Sequence, residues 1–397
     1  MAGTWIEIDL DSLISNYHEV VKHLHPESRC MAVVKADAYG LGAVQVALAL
    51  ERVGCEAFAV TKVEEGLVLR KHGIRGLILV LGPSTEEEWP KAIEAQLQLT
   101  ISELSFIAKL NDVCSDLHKE VSVHLKLETG MGRTGFRLSE LEDLSKSLNS
   151  APQLKIMGVY THFARAAQRD KQYTIEQYKQ FRSLTVRLEE LGIRPAWKHV
   201  CNSAAFLDYP EWHLDFVRIG TLLIGHYPGP GFTGKLALSD PWIAKSKIVH
   251  LRKVAKGTKV GYQSIYRTKS VTQLAVIPVG YADGLGIAPH FVPQGWFDFL
   301  KIIIKNFLAL FGVFLSQERV ELKGRTVRVA GKIGMQLTVL DVGMQDCALG
   351  DEVRIPLRRT VANPRIHRKY KQDGGILAER ILEEGVSPVC KEYSQLD

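Results

Sequence analysis

Lys35 ends the apolar run MAVV and stands directly before Ala36, Asp37, Ala38, Tyr39, Gly40 and Gly42. A lysine amine at the end of a strand becomes a Schiff-base nucleophile when burial removes its proton. Residue type alone allows the plainer reading of a solvated strand end. Arg133, in HLKLETGMGRTGFR, sits in what could be only a glycine-rich turn, and His162, in THFA, could be a satisfied core histidine on a strand. The six cysteines, at 30, 55, 114, 201, 347 and 390, form no CxxC pair and no Cys/His cluster at zinc spacing. They read as reduced structural thiols, and no metal is expected. By residue type alone the solvated strand end is the commoner reading of Lys35.

The elements that must position Lys35 follow from hydrophobic patterning. Short apolar runs (MAVVKA, AFAV, LILVLG, VSVHLKLE, KIMGVYTHF, KHVCNSAA, FVRIGTLLIG) alternate with amphipathic stretches, among them 43–53, 63–71, 86–95 and 173–191. Such βα alternation demands a parallel sheet, because each crossover needs a helix. About eight units before residue 235 predict an α/β fold of the (β/α)8 TIM-like barrel type, with Lys35 at the strand end that faces the barrel mouth. From residue 236 the runs shorten, as in SKIVHLRKV, VTQLAVIPVGYADG and LTVLDVG, and long helices no longer separate them. That predicts two domains, a barrel over 1–235 and a mostly β domain over 236–397, with residues 1–10 as a strand joining the second. At 397 residues the chain has room for both cores.

One segment, 296–315, fits neither pattern. Asp298, Lys301 and Lys305 recur on one helical face among Phe, Leu and Ile, inside an insertion at about 287–318. The charges argue against a membrane span. Packing on the body of the protein or in an oligomer is the first expectation, and peripheral contact with a membrane surface the second. The N-terminus has no basic n-region and no apolar h-region, which predicts a cytoplasmic protein. The formal charge of +6 is modest. The basic residues Arg354, Arg358, Arg359, Arg365, Arg368 and Lys369 accompany no nucleic-acid motif, so no nucleic-acid partner is expected.

The string VVKADAYGLGA resembles the cofactor-lysine motif of the alanine racemases, fold type III enzymes that depend on pyridoxal 5'-phosphate, and the resemblance extends along nearly the whole chain. It implies that Lys35 carries the cofactor and that Tyr39 helps to hold its phosphate. Arg133 then corresponds to the arginine beside the cofactor's phenolic oxygen, where it also meets substrate. Lys126 matches a position that is carbamylated in many members. A carbamate there would reverse the charge of the side chain and offer Arg133 a planar acceptor. His162 corresponds to the histidine beside the pyridine ring. Ser203, Gly220 and Thr221 correspond to phosphate contacts, where small side chains and backbone N–H groups approach anionic oxygens.

The resemblance sets Arg218, in VRIGT, against the pyridine nitrogen. A guanidinium only donates, so it disfavours a proton on that nitrogen and makes the ring a weaker electron sink, which favours racemisation over transamination or decarboxylation. Racemisation needs a base on each face of the α-carbon. The resemblance assigns Lys35 to the D isomer and Tyr262, in VGYQSIY, to the L isomer, with Tyr262 supplied by the partner subunit of a homodimer with shared sites. Tyr281, in VGYADG, and the backbone of Met335, in GKIGMQL, correspond to substrate contacts. The product implied is D-alanine for cell-wall peptidoglycan. The sequence departs from the family pattern in three places: Gln263 ends the usual GYG, Gln336 and Leu337 replace the usual Asp and Gln after Met335, and the insertion replaces a much shorter loop. Gln336 keeps open a racemase of the same fold with broader or different amino-acid preference. Arg218 and Tyr262 argue against a decarboxylase of related architecture, and the second domain argues against a barrel-only pyridoxal phosphate carrier.

Overall fold

The computed structural model describes residues 3–287, 293, 295–310, 318–381 and 389–392. It falls into two compact units, Leu10–Pro241 and a second that combines Met1–Asp9 with Trp242–Asp397.

After a first strand, β1 (Thr4–Asp9), come eight parallel strands: β2 (Arg29–Val33), β3 (Ala57–Val60), β4 (Leu77–Val80), β5 (Gln98–Ile101), β6 (Val121–Lys126), β7 (Leu154–Tyr160), β8 (Trp197–His199) and β9 (Phe216–Ile219). Their order in the sheet is β8-β7-β6-β5-β4-β3-β2-β9. The Asp215 N–H donates to Lys198 O (3.1 Å) and the Arg218 N–H to Cys201 O (2.9 Å), which draws the flanks of β8 and β9 together into a nearly closed barrel. Helices Ala43–Arg52, Val63–Lys71, Trp89–Glu94, Ser105–Asp116, Leu141–Asn149, Gln172–Glu190 and Ser203–Asp208 follow β2 to β8 in turn. The helix Leu10–Lys22, which precedes β2, completes the outer ring. The strands are near-continuous apolar runs because both of their faces are covered, by these helices outside and by the barrel filling within. Met31, Val33, Ala57, Ala59, Leu79 and Phe216 form one cluster of that core.

The second unit is built on an eleven-stranded sheet. Its strands are β10 (Trp242–Lys247), β11 (His250–Val254), β12 (Lys259–Val260), β13 (Tyr266–Arg267), β14 (Thr272–Ile277), β15 (Arg319–Leu322), β16 (Arg325–Val329), β17 (Thr338–Gly343), β18 (Glu352–Ile355), β19 (His367–Gln372), β20 (Gly375–Ile381) and β21 (Val389–Glu392), of which β12 and β13 form a separate pair. β1 lies between β10, antiparallel, and β19, parallel. Alternation explains its seat: Ile6 and Ile8 are fully buried, while Glu7, facing the other way, meets Lys245 (3.0 Å) and Lys371 (2.7 Å). Burial raises the Glu7 pKa, but hydrogen bonds from Lys371, Trp5 and Lys245 win and hold it at about 2. In the C-terminal basic run, Arg359 and Arg368 are buried, with Arg368 donating to the carbonyls of Pro364 and Ile366.

The inserted segment forms the helix Trp296–Leu310, and its expected continuation to residue 315 lies outside the described residues. The expectation that it packs on the body of the protein is not met over Trp296 to Ile304, where nearly every apolar side chain is exposed. Among the described residues no helix is long and apolar enough to cross a membrane.

Candidate active site

At the end of β2 the backbone does something that L-residues avoid. Ala36, Asp37, Ala38 and Tyr39 all have φ between 50° and 57°, one left-handed turn closed by Gly40 at 93°. Each such residue costs about 1–2 kcal/mol, so the turn persists only because its surroundings hold it. Glu65 takes the Ala36 N–H on one carboxylate oxygen (2.6 Å) and the N–H groups of Thr61 (2.9 Å) and Lys62 (3.1 Å) on the other. Asp37 caps the next helix, accepting from Ala43 N (2.8 Å). The turn presents half-buried Lys35, whose pKa falls through burial and the charge of Arg133, with Glu65 opposing.

The same turn carries the Tyr39 phenol onto Gly220, so closely that a Cβ at 220 would collide with the hydroxyl. The Gly220 N–H in turn donates to the Ser203 hydroxyl (3.3 Å). Tyr39, Ser203 and Gly220 are thus brought into one corner, with Thr221 next in the chain. Burial raises the Tyr39 pKa to about 12, so it is a neutral hydroxyl.

Lys126 ends β6 and is buried; its Nζ donates to Thr134 Oγ1 (2.8 Å). Burial, Arg133 and Arg218 lower its pKa to about 8. The loop after it is gathered by Glu128, whose carboxylate accepts from the backbone of Gly130 and Arg133. Arg133 is exposed, yet its charge acts on Lys35, Lys126 and His162.

Arg218, in β9, is buried, and its guanidinium is firmly fixed. NH1 donates to His199 Nδ1 (2.9 Å) and His199 O (3.0 Å), and NH2 to Thr161 O (2.7 Å) and Val200 O (3.2 Å). Behind it a polar chain runs through the barrel, with His199 Nε2 2.9 Å from His124 Nδ1 and His124 Nε2 2.8 Å from Gln98 Oε1. Burial and Arg218 push both imidazoles far down, His124 to about 3, so both are neutral at pH 7. Because arginine cannot accept, the tautomers follow: His199 accepts at Nδ1 and donates from Nε2, and His124 donates from Nε2 to Gln98. Tyr160 stacks on His199, ring centroids 4.8 Å apart, and Gly158 leaves the space that the His124 ring fills. Burial lowers the Arg218 pKa to about 10, which still keeps it charged at neutral pH.

The positive charges around the strand ends all act on His162. Burial, then Arg218, Arg133, Lys126 and Lys35, lower its pKa to about 3, so it is a neutral ring among four cations. That positive surplus suits an anionic ligand.

Sequence reasoning missed His124, His199, Gln98, Glu65 and Glu128. Strand alternation offered one signal, since His124 lies two residues before Lys126 on β6 and so shares its face. The two glutamates left no such trace, because their partners are backbone groups of loops.

Tyr262, Tyr281 and Met335 belong to the other unit. Tyr262 begins a turn whose next residues, Gln263 and Ser264, have φ of 61° and 54°. The Tyr281 N–H donates to Gly334 O and the Ala282 N–H to Met335 O, both at 3.0 Å. Gly280 permits that approach, since a Cβ there would strike the backbone of Gly334 and Met335. The segment around Met335 is a loop rather than a strand, and β17 begins only at Thr338. Tyr262 is 73% exposed, Met335 59%, Leu337 56% and Tyr281 46%.

Comparison with known proteins bears on this arrangement. The profile described as alanine racemase, N-terminal domain, matches residues 8–228, and that of the alanine racemase C-terminal domain matches 243–368. A protein of Desulforamulus reducens named alanine racemase is 36% identical over 355 residues, 88% of this chain and 89% of the relative. One of Methanococcus maripaludis with the same name is 35% identical over 88% of each. Among solved structures, the alanine racemase of Clostridium difficile 630 superposes with a TM-score of 0.85 at 30% identity, covering 96% of this chain and 99% of that one.

Proposed function

This chain belongs to the alanine racemase family, and from that premise we propose that it interconverts L- and D-alanine, with pyridoxal 5'-phosphate held on Lys35. The observation that carries the reading is the corner in which the Tyr39 phenol lies against Gly220 and the Gly220 N–H donates to Ser203, beside the left-handed turn that presents Lys35. The chemistry of these groups fits the cofactor. Lys35 has the lowered pKa of an amine that is readily deprotonated. Tyr39, Ser203, Gly220 and Thr221 offer hydroxyl and N–H donors to a phosphate. Arg218 has NH1 and NH2 engaged on the protein, so its Nε–H is the donor for a ring nitrogen. Arg133 suits the phenolic oxygen and the substrate carboxylate.

When bound, the cofactor supplies the electron sink that makes the substrate α-proton acidic. Everything else falls to the chain. Lys35 removes or returns that proton on the face of the D isomer. Tyr262, from a second copy of the chain, does so on the face of the L isomer, and Tyr281 and the Met335 backbone receive the substrate carboxylate end. The exposure of Tyr262, Tyr281, Met335 and Leu337 supports a shared site in a homodimer. Arg218, engaged as a donor, would disfavour a proton on the nitrogen of a bound pyridine ring, which would favour brief proton removal and return over other outcomes. Lys126, with a pKa near 8, has the free amine needed to add carbon dioxide, losing a proton and becoming the anionic partner of Arg133. The D-alanine formed would serve cell-wall peptidoglycan. Gln336, exposed beside Met335, favours a second reading in which the same site accepts a broader set of amino acids.

The test is incubation of the purified protein with L-alanine in D₂O, in buffer containing ¹³C-bicarbonate. The expected result is α-proton exchange and loss of optical rotation at matching rates, with a carbamate carbon signal from Lys126. Exchange without inversion would mean one working base, and no exchange at all would refute the racemase reading. Turnover of other amino acids, followed by chiral chromatography, separates the broader reading from the narrower.

A further inference from the structure

The helix Trp296–Leu310 leaves nearly all its apolar side chains over 296–307 in water. At about 100° per residue, Asp298, Lys301 and Lys305 fall within about 60° of one another, and Trp296, Phe297, Phe299, Leu300, Ile303 and Ile304 spread over about 160° on the opposite side. A helix on a globular protein buries the apolar arc and shows the charged one to solvent. Here the apolar arc is exposed as well as the charged one. Over 296–307, Asp298 and Ile302, both on the charged side, are the partly covered positions. Trp296 is 73% exposed, Phe297 77%, Ile303 47% and Ile304 48%. So large a run of exposed aromatic and branched side chains marks an interaction surface.

Charge indicates the occupant. Lys301, at the edge of the apolar arc, pairs with Asp298 (3.3 Å) and is itself 75% exposed, and exposed Lys305 adds a second cation on the charged side. The hairpin that follows in the chain places Arg319 directly opposite Arg328, both exposed. Like charges at opposed positions repel, and an anionic surface relieves that cost. Asp341, beside Arg328 on β17, is engaged by the hydroxyls of Tyr266 and Thr272. Charge placement sets the mode. Asp298, Lys301 and Lys305 put three charges within about two turns, so the helix lies in the interface rather than crossing it. Aromatic residues enter the headgroup boundary on such helices, and lysines at the edge extend to lipid phosphates.

We propose that the helix Trp296–Leu310 docks this protein on anionic lipid bilayers, with its apolar arc in the interface and Lys301 and Lys305 on the headgroups. The proposal is independent of the racemase reading, because lipid binding is read without substrate.

The experiment is flotation of the full-length, cofactor-loaded protein with vesicles of phosphatidylcholine, with or without phosphatidylglycerol. Wild type is expected to float with the anionic vesicles and to be released by salt. Lys301→Glu with Lys305→Glu should weaken anionic binding by about fivefold per lysine. Serine at Phe297, Leu300, Ile303 and Ile304 together should abolish flotation while racemisation is retained. Failure of wild type to float with anionic vesicles, or equal flotation of the serine variant, overturns the proposal. So does a serine variant whose sole change is a smaller oligomeric mass, which would assign the face to a second copy of the chain.

Discussion

Three histidines, His124, His162 and His199, lie in the barrel beside Arg218 and stay neutral there because burial and positive neighbours oppose their protonation. In the unfolded chain each would titrate near 6.5. Above that pH both states are neutral and the three groups add no pH dependence. Below it the unfolded chain takes up protons that the folded chain refuses, at His124 and His162 until about pH 3 and at His199 until well below the usual imidazole range, so stability falls as pH falls. Each histidine contributes a slope of about 1.4 kcal/mol per pH unit in that window. The urea midpoint should therefore drop between about pH 6.5 and 5, less steeply in a His162→Gln variant. A midpoint flat across that range would contradict the neutral assignment. Of these residues the sequence singled out only His162, as either a core histidine on a strand or a cofactor neighbour. The tautomers of His124 and His199 and their link to Arg218 depend on side chains from β6, β8 and β9 meeting inside the barrel.

Among the elements, β6 and β7 show how closely the site depends on backbone choices. Gly158 on β7 faces the His124 ring so tightly that a methyl group there would overlap it. Gly158→Ala should cost about 1–3 kcal/mol through overpacking, seen as a lowered thermal midpoint. It should also displace His124 from Gln98. An unchanged midpoint would mean that the ring can move aside freely. The left-handed turn after β2 is the second such element. Its glycines, Gly40 and Gly42, were visible in the sequence, but four consecutive left-handed residues without glycine, Ala36 to Tyr39, were not. Local propensity opposes that conformation, and the Glu65 carboxylate from the next βα unit holds it. The extent of the helix Val63–Lys71 matched its hydrophobic pattern, whereas the pattern over 86–95 gave only Trp89–Glu94.

At the scale of the whole molecule, the proposed function requires residues from both units, and the shared-site reading requires two copies. Mixing a Lys35→Ala protein with a Tyr262→Ala protein tests this. If each site takes Lys35 from one copy and Tyr262 from the other, a mixed dimer has one intact site of two. Random reassortment should then restore about a quarter of wild-type activity from two inactive parents. If both groups came from one copy, each mixed dimer would have two damaged sites and no activity would return.

The order of apolar runs, the change of pattern near residue 236 and the strings around Lys35, Arg133 and Arg218 were legible along the chain, because periodicity and short motifs are local properties. The amphipathic character of 296–310 was legible for the same reason, but not the direction in which its two faces point. That direction depends on what the rest of the fold leaves uncovered. The alignment of His124, His199 and Gln98 behind Arg218, and the support of the Lys35 turn by Glu65, likewise follow from barrel closure, which makes neighbours of residues that are far apart in sequence.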